Sequence, residues 1–199
     1  MKRIAVDIVL LPETEIINKA IELNRELLKQ YPNEIVLNRK NCLPHISLAM
    51  GCINEEQIPS IENILVEIAA NNPVSSLDFI GFHTDTNSSG QKITVVQVKK
   101  TKAIQSLHEE VMTKMKEFFS FKITPEMLIS DENISNSTLL WIESYPEKSS
   151  YRRFSPHITL GYGQLDDYSF PFNIPVSKLA ICHLGNHCTC VKILASTII

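Results

Sequence analysis

The sequence predicts an α+β fold of two pseudo-symmetric lobes, each an antiparallel sheet flanked by helices, with a central cleft between them. Three observations carry that expectation. Strand-like and helix-like periodicities follow one another along the chain with no Gly/Ser-rich or Pro-rich linker to divide it. Hydrophobic residues make up 44% of a 199-residue chain, enough to bury a core at about the length of one domain. Finally, a short segment occurs twice, as LPHISLAM at 43–50 and SPHITLGY at 155–162. Residues 1–199 are therefore expected to form a single compact domain of two pseudo-repeated lobes, each contributing one histidine-bearing strand, with His45 and His157, to a shared cleft.

Residues 3–11, RIAVDIVLL, read as a first strand. From Glu13 to Tyr31, Ile16, Ala20, Leu23 and Leu27 recur at helical spacing. The first histidine segment follows as a strand, and a second helix spans 54–71 through Ile58, Ile61, Ile64, Leu65 and Ile68, with Pro59 near its start. Ser76–His83 and Lys92–Lys99 flank the turn-rich TDTNSSGQ and read as a hairpin. A third helix, 101–119, places Ile104, Leu107, Val111, Met115 and Phe118 on one face. Periodicity weakens after Ser120. There TLLWIESY (138–145) has the composition of a strand, and PEKSSYRRF reads as a polar loop that leads into the second histidine segment and overhangs it. KLAICHL and CTCVKIL around GNH read as a terminal hairpin.

A net charge of −3 excludes the basic excess by which proteins coat long nucleic acid, so any phosphate recognition is local. No run of apolar residues is long enough to span a bilayer. The opening MKRIAVDIVLLPETE is read as a strand, not a signal peptide, because Asp7 interrupts its apolar run and Pro12 and acidic residues follow. Five cysteines, an odd count in a chain of this size, favour reduced thiols and a cytoplasmic protein. The expected partner is a nucleotide or short oligonucleotide bound by a monomer, with neither long duplex nor membrane involved.

Side chains alternate across a strand, so His45, Ser47 and Ala49 are expected on one face and Ile46, Leu48 and Met50 on the other. The second copy would likewise set His157, Thr159 and Gly161 against Ile158, Leu160 and Tyr162. On this reading Ala49 and Gly161 leave room for a ligand over the strand. A single histidine in a strand is ordinarily structural, but two copies with matched hydroxyls favour a shared catalytic cleft. Imidazole titrates near pH ~6.5, so one ring can accept a proton while the other donates one, and the hydroxyls can hydrogen-bond phosphoryl oxygens. Such a site requires no metal and no other cofactor.

The pair His45-Ile46-Ser47 and His157-Ile158-Thr159, each preceded by proline and followed by an apolar strand, resembles the two-histidine (2H) phosphoesterase superfamily, which includes the 2′-5′ RNA ligase-like proteins and cyclic nucleotide phosphodiesterases. The resemblance in element order extends over essentially the whole chain. It implies a metal-independent phosphodiesterase that hydrolyses or transesterifies a 2′,3′-cyclic phosphate, a 2′-5′ linkage or a related nucleotide cyclic phosphate. His45 and His157 would be the acid/base pair, and Ser47 and Thr159 the phosphate-binding hydroxyls. In plant-type cyclic phosphodiesterases a tyrosine after the second motif helps hold the substrate, and Tyr162 stands at the matching place. Strict alternation turns Tyr162 to the core unless Gly161 permits a bulge.

The approach to the second motif, with Trp141, Tyr145, Tyr151, Arg152, Arg153 and Phe154, could stack a base and pair with phosphate or could be a surface loop; Tyr151 and Arg153 are its candidate substrate contacts. The alternative to an enzyme is a binding module that recognises RNA ends or cyclic nucleotides in the same cleft without turnover. A third reading draws on CHLGNHCTC (182–190), where Cys182, His183, His187, Cys188 and Cys190 could hold zinc. Their crowding around one turn favours small buried thiols instead. His83 and His108 read as ordinary polar residues, and Lys99, Lys100 and Lys102 as a solvated edge.

Overall fold

The computed structural model describes residues 2–32, 35–86, 90–131, 133–166 and 168–199. In chain order its elements are β1 (Arg3–Pro12), α1 (Thr14–Leu28), β2 (Ile46–Asn54), α2 (Ile58–Asn71), β3 (Ser76–Thr86), β4 (Lys92–Val98), α3 (Lys102–Met115), α4 (Asn136–Lys148), β5 (His157–Tyr162), β6 (Asn173–Leu184) and β7 (Cys190–Ile198). The fold is mixed α and β with antiparallel pairing throughout the sheet, as the alternating periodicities predict. Strand order is β1-β2-β5-β4-β3-β6-β7, and a further β1–β6 pairing closes the circuit. No helix among the described residues is long and apolar enough to cross a membrane.

Helices pack where their apolar stripes dictate. On α1 the buried residues Ile16, Ala20, Leu23 and Leu27 follow the 3.6-residue period and cover β5. α2, with Pro59 in its first turn, packs on β6 and β7, and α3 and α4 pack on β2. Thr101 caps α3 by accepting the Ile104 N–H, and Ser135 caps α4 by accepting the Thr138 N–H. TLLWIESY is therefore helical, not a strand. Its β-branched and aromatic composition imitates one, but Thr138, Ile142 and Tyr145 recur at helical spacing on the buried face while Leu140 and Trp141 are exposed. The polar PEKSSYRRF is divided between the end of α4 and a 3₁₀ turn at Tyr151–Arg153. β3 and β4 form the expected hairpin, and residues 87–89 of the intervening TDTNSSGQ lie outside the described residues.

The two histidine strands share an irregularity that sequence alternation does not anticipate. On β2, Ile8 pairs with Ala49 and Val9 with Ser47, leaving Leu48 as an extra residue. On β5, Thr94 pairs with Gly161 and Val95 with Thr159, leaving Leu160 extra at the same place in the motif. Each leucine is the seat of a β-bulge, which changes which side chains share a face. Ala49 is fully buried in the main core, and a Cβ on Gly161 would lie 2.9 Å from the Asn24 amide nitrogen of α1. Neither small residue opens the ligand face, contrary to the expectation from strict alternation. Gly161 has φ +140°, a conformation that a side chain here would strain as well as crowd.

Buried side chains take up the carbonyls that the bulges turn out of the ladder. Asn24 donates to Leu160 O and to Ile35 O, each at 2.7 Å, and accepts the Leu37 N–H at 2.9 Å. Leu48 O accepts from His108 Nδ1 at 2.6 Å and from the Tyr145 hydroxyl at 3.0 Å. His108 also accepts the Tyr151 N–H on Nε2 and stacks on Phe154 at 4.1 Å, so it is a satisfied core histidine tying α3 to the second motif's approach.

Asn24→Ala strips partners from two buried carbonyls and one N–H, and should lower unfolding free energy by about 2–4 kcal/mol in urea titration. Ala49→Leu should act on the fold, costing about 1–3 kcal/mol of stability through overpacking beside Ile8. An unchanged urea midpoint for Ala49→Leu would place that residue on the open face instead.

Candidate active site

β2 and β5 meet at a single antiparallel bridge, Ile46 with Ile158. Continuing that register by one residue in each direction sets His45 across from Thr159 and Ser47 across from His157, all on the face opposite the two isoleucines. The two histidines then lie on a diagonal, at a Cα separation of about 7–8 Å for such positions. Ile46 and Ile158 are fully buried, whereas the four polar residues are half-buried. Core packing of the isoleucines therefore turns the imidazoles and hydroxyls outwards.

The imidazoles are held alike. His45 donates from Nδ1 to Leu43 O at 2.7 Å, and His157 donates from Nδ1 to Ser155 O at 2.8 Å. A carbonyl can only accept, so Nδ1 carries the proton in both rings and each neutral Nε2 presents a lone pair. Burial lowers the pKa of His45, an effect that the Leu43 carbonyl offsets and the neighbouring His157 reinforces. Burial lowers that of His157 too, with the Ser155 carbonyl and the Asp85 carboxylate opposing it. Both rings are thus poised to be neutral near pH 7, and the influence of His157 on His45 places the two in one electrostatic environment.

Ser47 and Thr159 differ in their partners. The Ser47 hydroxyl hydrogen-bonds Asp7 Oδ2 at 2.6 Å, and His45 Nε2 lies 3.7 Å from the same oxygen. Asp7 is fully buried on β1. Thr159 instead faces Val95 of β4. Because Ile93 and Val95 share a face of β4, their partners Tyr162 and Thr159 share one as well. The bulge therefore brings Tyr162 to the face of the catalytic candidates, the condition under which the resemblance gives it a role. Its hydroxyl shares a hydrogen bond with His187 Nδ1 at 3.2 Å, and the rings meet edge to face.

Tyr151 and Arg153 are engaged elsewhere. The Tyr151 N–H is held by His108, its carbonyl accepts from Gln105, and its ring is exposed. The Arg153 guanidinium donates to Glu147 O at the end of α4. No described hydrogen bond or ring contact joins either residue to the histidine motifs. The same register adds Gln97, which the sequence did not single out, beside His157, and His83, which reads in the sequence as an ordinary polar residue, beyond Val95 from Thr159. His83 Nε2 pairs with Asp85 Oδ1 at 2.9 Å on the outer part of this face. Only the strand pairing could reveal them, since their spacing carries no motif. Two surface depressions border α1, one against residues 169–171 and the other against Gln164, Leu165, Asp166 and Tyr168, and neither is lined by the four motif residues.

The cysteine-rich hairpin also departs from the sequence reading. Cys182 and Cys190 are joined as a disulfide where the Asn186–Cys188 turn folds β7 back on β6, while Cys42, Cys52 and Cys188 are free. The expectation of five reduced thiols is thereby corrected, because the hairpin, which pairs Cys190 with Leu184, brings Cys182 and Cys190 diagonally together with Cα atoms 5.6 Å apart. Among the described residues no group of three or more His, Cys, Asp or Glu side chains is arranged to hold a metal ion. His187 contacts Tyr162, and His183 hydrogen-bonds Met127 O.

Solved structures share this architecture over its full length. A phosphoesterase is 12% identical, with a TM-score of 0.54 and coverage of 100% of this chain and 99% of that one. Escherichia coli LigT complexed with 3′-AMP is 13% identical, with a TM-score of 0.52 and coverage of 100% and 99%. LigT in apo form is 14% identical, with a TM-score of 0.51 and coverage of 100% and 98%. At such identities the likeness concerns the fold. A search of curated protein sequences found no match. The family model of the 2′-5′ RNA ligase superfamily matches residues 25–171, a span that contains both histidine motifs, and the chain belongs to that superfamily.

Proposed function

We propose that this protein is a metal-independent phosphodiesterase that hydrolyses or transesterifies a ribonucleotide-type phosphodiester, such as a 2′,3′-cyclic phosphate or a 2′-5′ linkage. The observation that carries the reading is the matched pair of Nδ1-anchored imidazoles, His45 and His157, brought together diagonally by the Ile46–Ile158 bridge. A phosphorus atom lying over that bridge would have one Nε2 towards the attacking oxygen and the other towards the leaving oxygen. The neutral ring takes the proton of the attacking hydroxyl or water, and the protonated ring gives one to the departing oxygen. Ser47 and Thr159 would hydrogen-bond the non-bridging oxygens as negative charge grows there. The two halves of the sheet act in this reading as repeated lobes, each supplying one His-x-Ser/Thr strand.

Family membership supports a phosphoesterase activity, and the LigT structures with 3′-AMP and with phosphate support a nucleotide or RNA end as the ligand class. In this reading Tyr162 would contact the sugar or phosphate from the face it shares with Thr159, and the exposed His83–Asp85 pair would border a longer oligonucleotide.

His45→Ala and His157→Ala should each lower kcat/KM for 2′,3′-cyclic AMP by on the order of 10²–10⁴-fold, while the wild-type rate survives saturating chelator. Full activity of either variant would sink the proposal. Tight binding of 3′-AMP by the wild type with no product after long incubation would identify a binding module instead.

The pH profile follows from the histidine environments. The base must be unprotonated, so the rate rises as pH climbs through its pKa; the acid must be protonated, so the rate falls above its own. Burial lowers both values from 6.5, which places the kcat/KM maximum on the acid side of that value. Asp85→Asn, which removes the carboxylate supporting protonated His157, should move the limb governed by that ring further towards acid. Initial rates between pH 4.5 and 8.5 read both effects, and a maximum above pH 7.5 would contradict them.

A further inference from the structure

Asp7 lies beneath Ser47 with no exposure to solvent, and its Oδ1 has no hydrogen-bond partner among the described residues. Oδ2 is 2.6 Å from Ser47 Oγ. Its only ion-pair partner within 4.0 Å among the described residues is His45 Nε2, at 3.7 Å. The other groups that face it bring no cation. Cys182 pairs with it across β6 and is disulfide-bonded, and Met50 pairs with it across β2. The Tyr145 hydroxyl of α4 and the Cys188 thiol of the hairpin turn both feel its charge, and burial raises the pKa of each, so both remain protonated. The backbone N–H of Ala49 adds a weaker favourable contact than Ser47 does.

Ser47 has a single hydroxyl hydrogen. If Asp7 is ionised, that hydrogen is held by Oδ2, and Ser47 shows a phosphate only lone pairs. If Asp7 carries a proton, its own O–H donates to Ser47 Oγ, and the serine hydrogen is released towards the cleft. A bound phosphodiester adds negative charge above the carboxyl and favours the second arrangement. We propose that Asp7 works as a neutral carboxylic acid beneath Ser47, a positioning residue that turns the serine hydroxyl proton towards the phosphoryl oxygen of the substrate.

This inference rests on the phosphoester reading of the cleft and deepens it. Binding an anion to protein with ionised Asp7 takes one proton from solvent onto Asp7; no other bond is made or broken. Burial acts in the same direction, holding the Asp7 carboxyl well above the ordinary carboxylate range against the opposing effects of Ser47 and Ala49. His45 remains neutral in this state because it too is penalised by burial. The sign is fixed: occupancy of the cleft by an anion is favoured below the Asp7 pKa and weakened above it.

The test is a carbon-13 titration of the Asp7 carboxyl, with and without sulfate, an anion that does not itself titrate between pH 4 and 9. The expected midpoint lies above the ordinary value of about 4 and rises further when sulfate shifts the His45 and His157 resonances. Asp7→Asn, whose amide can donate to Ser47 Oγ at all pH values, should keep sulfate affinity within about threefold of wild type at pH 6 and flatten its decline towards pH 8. Ser47→Ala should weaken binding on the order of 10-fold.

An Asp7 midpoint in the ordinary range overturns the inference. So does a midpoint unmoved by sulfate that shifts both histidines, or an Asp7→Asn variant as weak as Ser47→Ala. Sulfate that shifts neither histidine removes the anion site and the inference with it. If the Asp7 midpoint responds to sulfate but the protein turns over no 2′,3′-cyclic AMP, the enzyme reading falls and the role of Asp7 stands.

Discussion

The site depends on a backbone irregularity made twice, at Leu48 and at Leu160. Each bulge sends two successive residues, leucine and then alanine or glycine, towards the hydrophobic core, and brings the next side chain, Met50 or Tyr162, round to the face of the serine or threonine. A bulge leaves ladder groups unpaired, and in a dry interior such groups require substitutes. Asn24 supplies one on α1, and His108 with Tyr145 supplies the other from α3 and α4. Three helices distant in sequence thus hold the two motifs in shape. Rotating a helix by even a fraction of a turn would withdraw its donor from the bulge carbonyl, so packing of the helices and geometry of the cleft are one constraint.

Similar backbones do not make the two halves chemically equal. The position opposite Met50 is Asp7, whereas the position opposite Tyr162 is Ile93. One half places a sequestered carboxyl under its hydroxyl residue. The other places a phenol at the rim, joined to His187 on the Asn186–Cys188 turn. His187 and Cys188 both adopt positive φ, a conformation that costs on the order of 1 kcal/mol or more for residues with a side chain. The hydrogen bonds from the His187 N–H to Thr138 and Asn186 help offset it and fasten this turn to the start of α4. A repeated motif thereby becomes an asymmetric arrangement, which suits the proposed reaction with its distinct attacking and leaving groups.

Much of this was legible in the sequence, and the reasons are specific. The apolar stripe of Ile16, Ala20, Leu23 and Leu27 and the period-2 strands announced an α+β fold, because burial of one face enforces a period. His45, Ser47, His157 and Thr159 could be named because two copies of a rare pattern are visible without knowing the fold. TLLWIESY misled because composition favoured a strand while the helical spacing of Thr138, Ile142 and Tyr145 was masked by the exposed Leu140 and Trp141. Ala49 and Gly161 were misplaced because alternation assumes an unbroken ladder. Asp7 registered only as a break in an apolar run. Its significance lies in pairing between β1 and β2, forty residues apart, and no local spacing records that.

Burial determines what these polar residues can do. A carboxyl at the surface is ionised at neutral pH and screened by water, and its effect on a neighbouring hydroxyl is small. The same group beneath Ser47, cut off from solvent and without a lysine or arginine partner among the described residues, is penalised for every unit of charge it carries. The imidazole of His45 stands beside it under the same penalty, exposing 13% of its side chain, so water reaches one edge of the ring and nothing reaches the carboxyl. In the empty cleft the cheapest state is therefore neutral on both groups, or an ion pair stretched to 3.7 Å that neither hydrogen-bond geometry nor solvent supports well. Under the proposed function, an arriving phosphodiester would supply the missing counter-charge to a protonated histidine and make an ionised Asp7 still less favourable. The same desolvation thus biases Asp7 towards the protonated state that an anion above Ser47 favours, while it holds His45 neutral until such an anion arrives.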